Sequence, residues 1–211
     1  VDEEYPYFLA YDWADGDRGQ RIEDMIAERL NNGGKINAAD IAAIHFDSKS
    51  FPAETWVPLL SSLTSDDPQI QAALTQLSGW DFQERPDSVP ASLFEMFYLN
   101  LFENVLADEV GAENVADISG QDVFMYELAA DLEAVWWDDV TTPETETAVT
   151  IMSQSLAEAV TWLNSNMGGN MDEWTWGKLH TITLADAVLG ASGVAPIEAI
   201  FNRGPYPVAG G

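Results

Sequence analysis

The feature that most constrains the fold is a segment from Ser88 to Leu106 whose apolar residues cover most of the circumference of a helix. Ser88 and Pro90 are typical of the first positions of a helix. The apolar positions are Leu93, Phe94, Phe97, Leu101, Phe102, Val105 and Leu106. A helix that is apolar on most sides has to be covered on most sides. We therefore expect it to pack against several neighbours.

Shorter amphipathic segments flank this helix. Apolar residues at helical spacing predict helices over 17–31, after Asn37, after Pro52, after Pro68, over 121–137 and from Thr142. Among the positions expected to point inward are Ile22, Met25, Ile26, Leu30, Ile41, Ile44, Trp56, Leu60, Leu77, Val149, Met152 and Leu156. Residues 1–170 are therefore predicted to be helical.

The last forty residues have a different pattern. Residues 180–184 alternate like a short strand, and glycine and proline punctuate the remainder, which we expect to be loop. About thirty residues without periodicity are long for a free-standing domain. The predicted fold class is mainly α, with a strand and loop region over 171–211 that packs on a larger body.

Composition supports a folded domain and excludes several partners. Hydrophobic residues make up 46% of the chain, which excludes a disordered acidic tail. The 8 Lys and Arg oppose 36 Asp and Glu, giving a net charge of −28. Such a field repels nucleic acid and anionic membrane surfaces, so we expect neither as a partner. Because Cys is absent, there is no disulfide, thiolate zinc site or cysteine nucleophile.

The acidic residues are spread along the whole chain, and Lys is rare. An evenly acidic surface around an ordinary core suits a protein from a high-salt or marine source, because salt screens the repulsion between its charges. We expect thermal stability to rise with KCl concentration. A melting series with its maximum at low salt would refute this hypothesis.

Motifs that carry catalysis on their own are absent from the sequence. There is no phosphate-binding glycine loop, no histidine-rich metal motif and no G-x-S-x-G. Acidic residues are too numerous for a general acid–base pair to stand out. The stretch Asp12–Asp17 offers oxygen atoms to calcium, but it lacks the spacing of a helix–loop–helix calcium site, which favours a capped helix start.

Five segments spread over the whole chain share the order and spacing of one family. They lie at 4–22, 36–60 and 77–91, at Trp174-Thr175-Trp176-Gly177-Lys178-Leu179-His180, and at 201–211. The first contains Asp17-Arg18-Gly19-Gln20-Arg21-Ile22, and the third contains Gly79-Trp80-Asp81. Together they resemble the penicillin amidase (penicillin acylase) family.

The resemblance implies an N-terminal nucleophile hydrolase with an αββα core. In that family the precursor cuts itself, and the new N-terminal Ser of the β chain attacks an amide carbonyl with its own α-amino group as base. Val1 has no hydroxyl or thiol, so we expect an internal β-chain segment, inactive alone. Its implied partners are the remainder of the β chain, the α chain and a small N-acyl substrate.

The resemblance also implies site residues. Arg18 aligns with the family's active-site arginine and is the expected catalytic residue, whereas a surface arginine paired with Asp15 or Asp17 is the alternative. Arg21, one turn on, is expected to be structural. His45 stands where the family usually carries Gln, so we do not expect it to be catalytic.

Three aromatic residues near the start, Phe8, Tyr11 and Trp13, are expected to bind substrate in an acyl pocket, with packing in the core as the alternative. The family often holds a calcium ion, but its expected carboxylate falls on Tyr7 or Leu9, so we predict no cofactor and no metal site. Family members are usually exported, which implies a periplasmic or secreted protein.

Two other functions are compatible with the sequence. One is a self-contained acidic helical domain that binds a partner without catalysis, and the other is a family member that has lost its nucleophile. A self-contained domain is expected to bury its apolar faces, whereas a fragment is expected to expose patches above a few hundred Å².

Overall fold

The computed structural model describes residues 6–8, 16–31, 33–118 and 121–211. Over these residues it is mainly helical, as the sequence predicts, with a two-stranded sheet near the end. The α-helices are α1 (Asp17–Asn31), α2 (Ala38–His45), α3 (Phe51–Leu60), α4 (Pro68–Ser78), α5 (Val89–Val110), α6 (Gln121–Ala130), α7 (Ala148–Met167), α8 (Trp176–Leu179) and α9 (Ala195–Phe201). The strands are β1 (Thr181–Leu184) and β2 (Arg203–Pro207).

Helix α5 is the centre of the core, which confirms the prediction from its apolar circumference. It begins where expected, since the Ser88 side chain accepts a hydrogen bond from the Ala91 amide at 3.2 Å. It packs mainly against α7 and also contacts α4 and α8. Its fully buried side chains include Leu93, Phe94 and Leu101.

Two predicted helix boundaries are wrong. The helix predicted over 121–137 ends at Ala130, and a separate 3-10 turn follows at Val135–Trp137. The helix predicted from Thr142 starts at Ala148, where the Thr147 side chain provides the N-cap. The predicted inward positions Met152 and Leu156 are buried, but Val149 is 54% exposed and Ile151 is buried in its place.

The C-terminal region contains more secondary structure than the sequence predicted. Residues expected to be loop form helix α9 and strand β2, which pairs antiparallel with β1. Every residue of both strands is exposed, so neither strand has a buried face. The sequence of β2 therefore shows no alternation of apolar and polar residues that would predict a strand. Short α8 precedes β1, and its residue Trp176 is held by a hydrogen bond from the indole N–H to the Gly210 carbonyl at 2.8 Å.

Helices α1 and α2 form as predicted but contain no buried residues. The expectation that Ile22, Leu30 and Ile41 point inward is wrong for the described chain, where they are 36%, 52% and 44% exposed. Amphipathic spacing fixes which face of a helix is apolar, but not whether another element covers it. None of the described helices is both long and apolar enough to cross a membrane.

Candidate functional site

A cavity of about 730 Å³ lies where α1 and α2 meet the starts of α3 and α5 and the end of the chain. Apolar side chains of α1 and α2 form one part of its wall, among them Ile22, Met25 and Ile44. Charged and polar side chains form the rest. The cavity therefore has an apolar side and a polar side.

A short backbone pairing builds the polar side. Lys49 and Gln83 form an antiparallel bridge, flanked by hydrogen bonds from the Ser50 amide to Phe82 at 2.8 Å and from the Glu84 amide to Ser48 at 2.9 Å. The segment after α2 thus lies beside the segment after Gly79-Trp80-Asp81.

Arg21 and Asp47 form a two-point ion pair in the wall. Arg21 donates from Nε to Asp47 Oδ2 at 2.7 Å and from a terminal nitrogen to Oδ1 at 2.9 Å. The Asp47 carboxylate also accepts from the Gln83 side chain at 3.2 Å and from the Lys49 amide at 3.3 Å. The hydrogen bond from Arg21 is the main reason that the pKa of Asp47 lies below its ordinary value. The pair therefore remains ionised at neutral pH.

Arg18 lies one turn before Arg21 and also lines the cavity. Its side chain is exposed and has no hydrogen bond or ion pair with the described part of the chain. The neighbouring Asp17 accepts a short hydrogen bond from the Tyr126 hydroxyl of α6. Among the described residues no carboxylate pairs with the Arg18 guanidinium, which is suited to an oxygen acceptor or a developing negative charge.

Glu84 and Glu95 contribute a pair of carboxyl groups to the polar side of the cavity. Glu84 is 3% exposed, and its carboxyl group interacts with Ser50 and Glu95. Burial, followed by the charge of Glu84, raises the pKa of Glu95 to about 9. Burial also raises the pKa of Glu84. Because the pKa of both carboxyl groups is raised and the two interact, a proton shared between them is favoured at neutral pH.

His180 completes this side of the cavity. Its ring stacks on Trp176 with 4.9 Å between ring centroids, and its Nδ1 lies 3.3 Å from the Val208 carbonyl. Nearby, the buried Tyr98 donates a hydrogen bond to Asp122 at 2.9 Å. These contacts give Trp176 and His180 a packing and hydrogen-bonding role.

Arg18 lines the cavity, whereas Phe8, the described residue of the predicted aromatic pocket, does not. Phe8 is 68% exposed and does not line the cavity. Tyr11 and Trp13, and Leu9 at the expected calcium position, lie outside the described residues. The substrate-binding role of Phe8, Tyr11 and Trp13 stays a prediction. Among the described residues no group of three or more His, Asp or Glu side chains is arranged to hold a metal ion.

The sequence did not indicate the carboxyl pair. The position of Glu95 gave one indication of a buried carboxyl group, because it is an acidic residue between Phe94 and Phe97 in a largely apolar helix. Glu84 carried none, because its burial depends on the pairing of two segments more than thirty residues apart.

Comparison with known proteins gives these features a context. The penicillin amidase family matches residues 1–211. The chain belongs to the penicillin amidase family. A relative named acyl-homoserine lactone acylase QuiP from Pseudomonas syringae pv. syringae is 28% identical, with 98% of this chain and 27% of the relative covered.

Other relatives of this penicillin amidase family member carry the same name. The protein from Pseudomonas fluorescens is 28% identical over 83% of this chain and 24% of its own length. The protein from Pseudomonas aeruginosa is 30% identical over 65% of this chain and 18% of its own length. The chain thus spans about a quarter of the length of the relatives that it matches most fully.

Proposed function

We propose that this chain is part of the β chain of an acylase that hydrolyses the amide bond of N-acylated amines. The observation that carries the proposal is the family match over all 211 residues. The relatives named as acyl-homoserine lactone acylases support an acyl amide as substrate. The cavity supports it further, since it combines an apolar wall with Arg18, which has no ion pair among the described residues.

In the proposed reaction the N-terminal Ser of the β chain lies outside this chain. Its α-amino group takes the hydroxyl proton, the oxygen attacks the amide carbon, and the amine leaves with that proton. Water then releases the acid from the acyl-enzyme. An α-amino group is suited to act as base because its pKa of about 7.7–8.0 leaves it partly neutral near pH 7.

Within this reaction Arg18 supplies positive potential to the site. Its guanidinium is always charged, and in the described chain no carboxylate neutralises it. The negative charge that develops on the carbonyl oxygen would be stabilised by such a fixed cation and by the oxyanion-hole donors. The apolar side chains of α1 and α2 are suited to lie along an acyl group.

The substrate class comprises N-acyl-homoserine lactones, acylated β-lactams or similar amides, and the names of the relatives favour the first. We further propose an αββα core for the whole enzyme, with the remainder of the β chain and the α chain as partners. Export to the periplasm or the medium is the localisation we propose. The mechanism needs no cofactor.

The test uses the full-length protein with the N-terminal Ser of its β chain changed to Ala. We expect this variant neither to cleave its precursor nor to release amine from N-acyl-homoserine lactones of short and long acyl chains. Precursor cleavage is followed on denaturing gels, and free amine by chromatography. Normal turnover by this variant would end the proposal.

Arg18 is tested in the cleaved wild-type enzyme. We expect Arg18→Ala to lower kcat/KM by about 10²-fold, as for loss of a charge-stabilising donor. Arg18→Lys, which keeps the charge but not the planar donors, should recover part of the activity. An Arg18→Ala enzyme with unchanged kcat/KM would remove Arg18 from the site.

The alternative of a self-contained binding domain requires apolar faces that are buried within the chain. Helix α1, helix α2 and both strands instead leave theirs exposed, with Leu30 at 52% and Leu184 at 56%. This exposure favours a segment that packs against the rest of a larger protein.

A further inference from the structure

We propose that Arg21, through its pair with Asp47, is a positioning residue that holds helix α1 so that Arg18 stays in the cavity. The inference rests on the proposed function, because it assigns Arg21 a task in the same site. It concerns a residue whose spacing alone suggested only a structural role.

Helix α1 is attached to the rest of the described chain by polar contacts. No residue of α1 is buried, so apolar packing within the described chain does not fix its position. Among the described residues, polar side-chain contacts link it to α2, to α6 and to the segment after α2. These are Tyr126 to Asp17, Arg21 to Asp47, and Arg29 to Asp40 at 2.6 Å. The placement of Arg18 therefore depends on contacts that mutation can remove one at a time.

The ion pair between Arg21 and Asp47 is more constrained than the ion pair between Arg29 and Asp40. Its two parallel hydrogen bonds fix the direction of the guanidinium as well as its distance. The side chains of Arg21 and Asp47 are 21% and 11% exposed, whereas that of Arg29 is 54% exposed. Asp47 is itself held by Gln83 and by the Lys49 amide. Arg21 is thus anchored to the bridge that builds the polar side of the cavity.

The backbone of α1 links the position of Arg18 to that of Arg21. Residues three apart lie on the same face of a helix, with about 4.5 Å of rise between them. Because Arg18 has no hydrogen-bond or ion-pair partner among the described residues, its position follows that of the α1 backbone. Arg21 already occupies both oxygens of the Asp47 carboxylate. Asp47 therefore does not neutralise Arg18, whose charge remains available to a substrate.

The experiment is a double-mutant cycle in the cleaved full-length enzyme, with hydrolysis of an N-acyl-homoserine lactone as the assay. Arg21→Lys keeps the charge but cannot span both oxygens of Asp47. We expect it to lower kcat/KM by about tenfold in the wild type and by less than twofold in the Arg18→Ala background. A lower amount of folded enzyme would instead reduce activity by the same factor in both backgrounds, and that outcome would overturn the proposal.

Two further variants keep the cycle interpretable. Asp47→Asn retains the side-chain volume and removes the other half of the pair, so it should reproduce the dependence on Arg18 if Arg21→Lys does not fold. Arg29→Lys is the matched control on the same helix, since the Arg29 side chain is 54% exposed and lies about 12 Å beyond Arg21 along the axis. We expect it to change kcat/KM by less than twofold in both backgrounds, and a loss as large as that of Arg21→Lys would contradict a specific role for Arg21.

A measurement without turnover separates this inference from the proposed function. Should the wild-type enzyme hydrolyse no N-acyl amine, the proposed function fails, and hydrogen–deuterium exchange then decides the role of Arg21. Faster exchange in residues 17–31 of Arg21→Lys, with α5 unchanged, would support the positioning role. Unchanged exchange in residues 17–31 would overturn it.

Discussion

The core around α5 and the pair α1–α2 are both helical but are held by different forces. In the core, side chains such as Phe97 and Leu101 of α5 are fully buried. In α1–α2 no side chain is buried, and ion pairs and hydrogen bonds make the attachments. The difference matters because the core is the stable scaffold, whereas the candidate catalytic arginine lies on the part that polar contacts position.

The contrast also shows what a cavity wall requires. A helix that lines a substrate site has to leave apolar side chains uncovered within its own chain, as Ile22 and Met25 do. Burying them would close the cavity. The polar anchors Arg21 and Arg29 hold the helix without filling that space.

The largest effect is expected for Phe97→Ala in the core. The fully buried ring is replaced by a cavity, so we expect a loss of about 3–5 kcal/mol in the free energy of unfolding. Urea unfolding of the full-length protein measures it. Leu30→Ala in α1 is the matched test of the comparison and should cost less than the core variant, because Leu30 is 52% exposed within the described chain. A loss from Leu30→Ala equal to that of the core variant would show that another part of the polypeptide buries α1.

The next effect concerns pH and the carboxyl pair. The pKa of Glu95 is raised to about 9 in the folded protein, above the value near 4.3 of an unfolded chain. The folded state therefore binds more protons between these values, and its stability falls as pH rises through this window. The slope from this group is at most about 1.4 kcal/mol per pH unit.

Glu95→Gln should flatten this slope, because the amide donates a hydrogen bond to Glu84 without titrating. Urea midpoints at pH 5, 6, 7 and 8 provide the measurement. Glu103→Gln, exposed on the same helix, is the control and should leave the slope in place. Parallel pH profiles for wild type and Glu95→Gln would show that Glu95 does not hold the proton.

The smallest effect is expected at the start of α2. Asn37 accepts hydrogen bonds from the amides of Ala39 and Asp40, and Asp40 accepts one from the Asn37 amide. Since α2 has no buried residue, this capping box carries much of its local stability. Asn37→Ala should cost about 1 kcal/mol, seen as faster amide exchange in residues 38–45. Asn37→Asp keeps the acceptor oxygen and should exchange like wild type; equal rates for Asn37→Ala would show that other contacts hold α2.

Much of the helical architecture followed from local signals. Asn37, Asp67 and Ser88 cap the helices that the sequence predicts after them, because a side-chain acceptor beside the first free amides acts over a few residues. The predicted start of α7 was wrong because two nearby segments both have the residues of a helix N-terminus. Thr142-Pro143-Glu144 looks like a helix start, yet the Thr142 hydroxyl hydrogen-bonds to Glu146 within a turn, and Thr147 caps α7 instead.

The candidate site followed from the sequence only in part. The resemblance identified Arg18, and the structure places it at the cavity. The bidentate contact of Arg21 joins residues 26 positions apart in the chain. No helical spacing or short motif encodes such a contact.

By itself the sequence determined the family, the helical class and the buried stripe of α5, because caps and apolar periodicity act within one or two turns of a helix. Only the tertiary structure decided that α1 remains uncovered and that Glu84 meets Glu95. It also decided that Arg21 pairs with Asp47, whereas Arg18 has no such partner among the described residues. The reason is that burial and the charges around a group are set by segments far apart in the chain, which meet only when the core has formed.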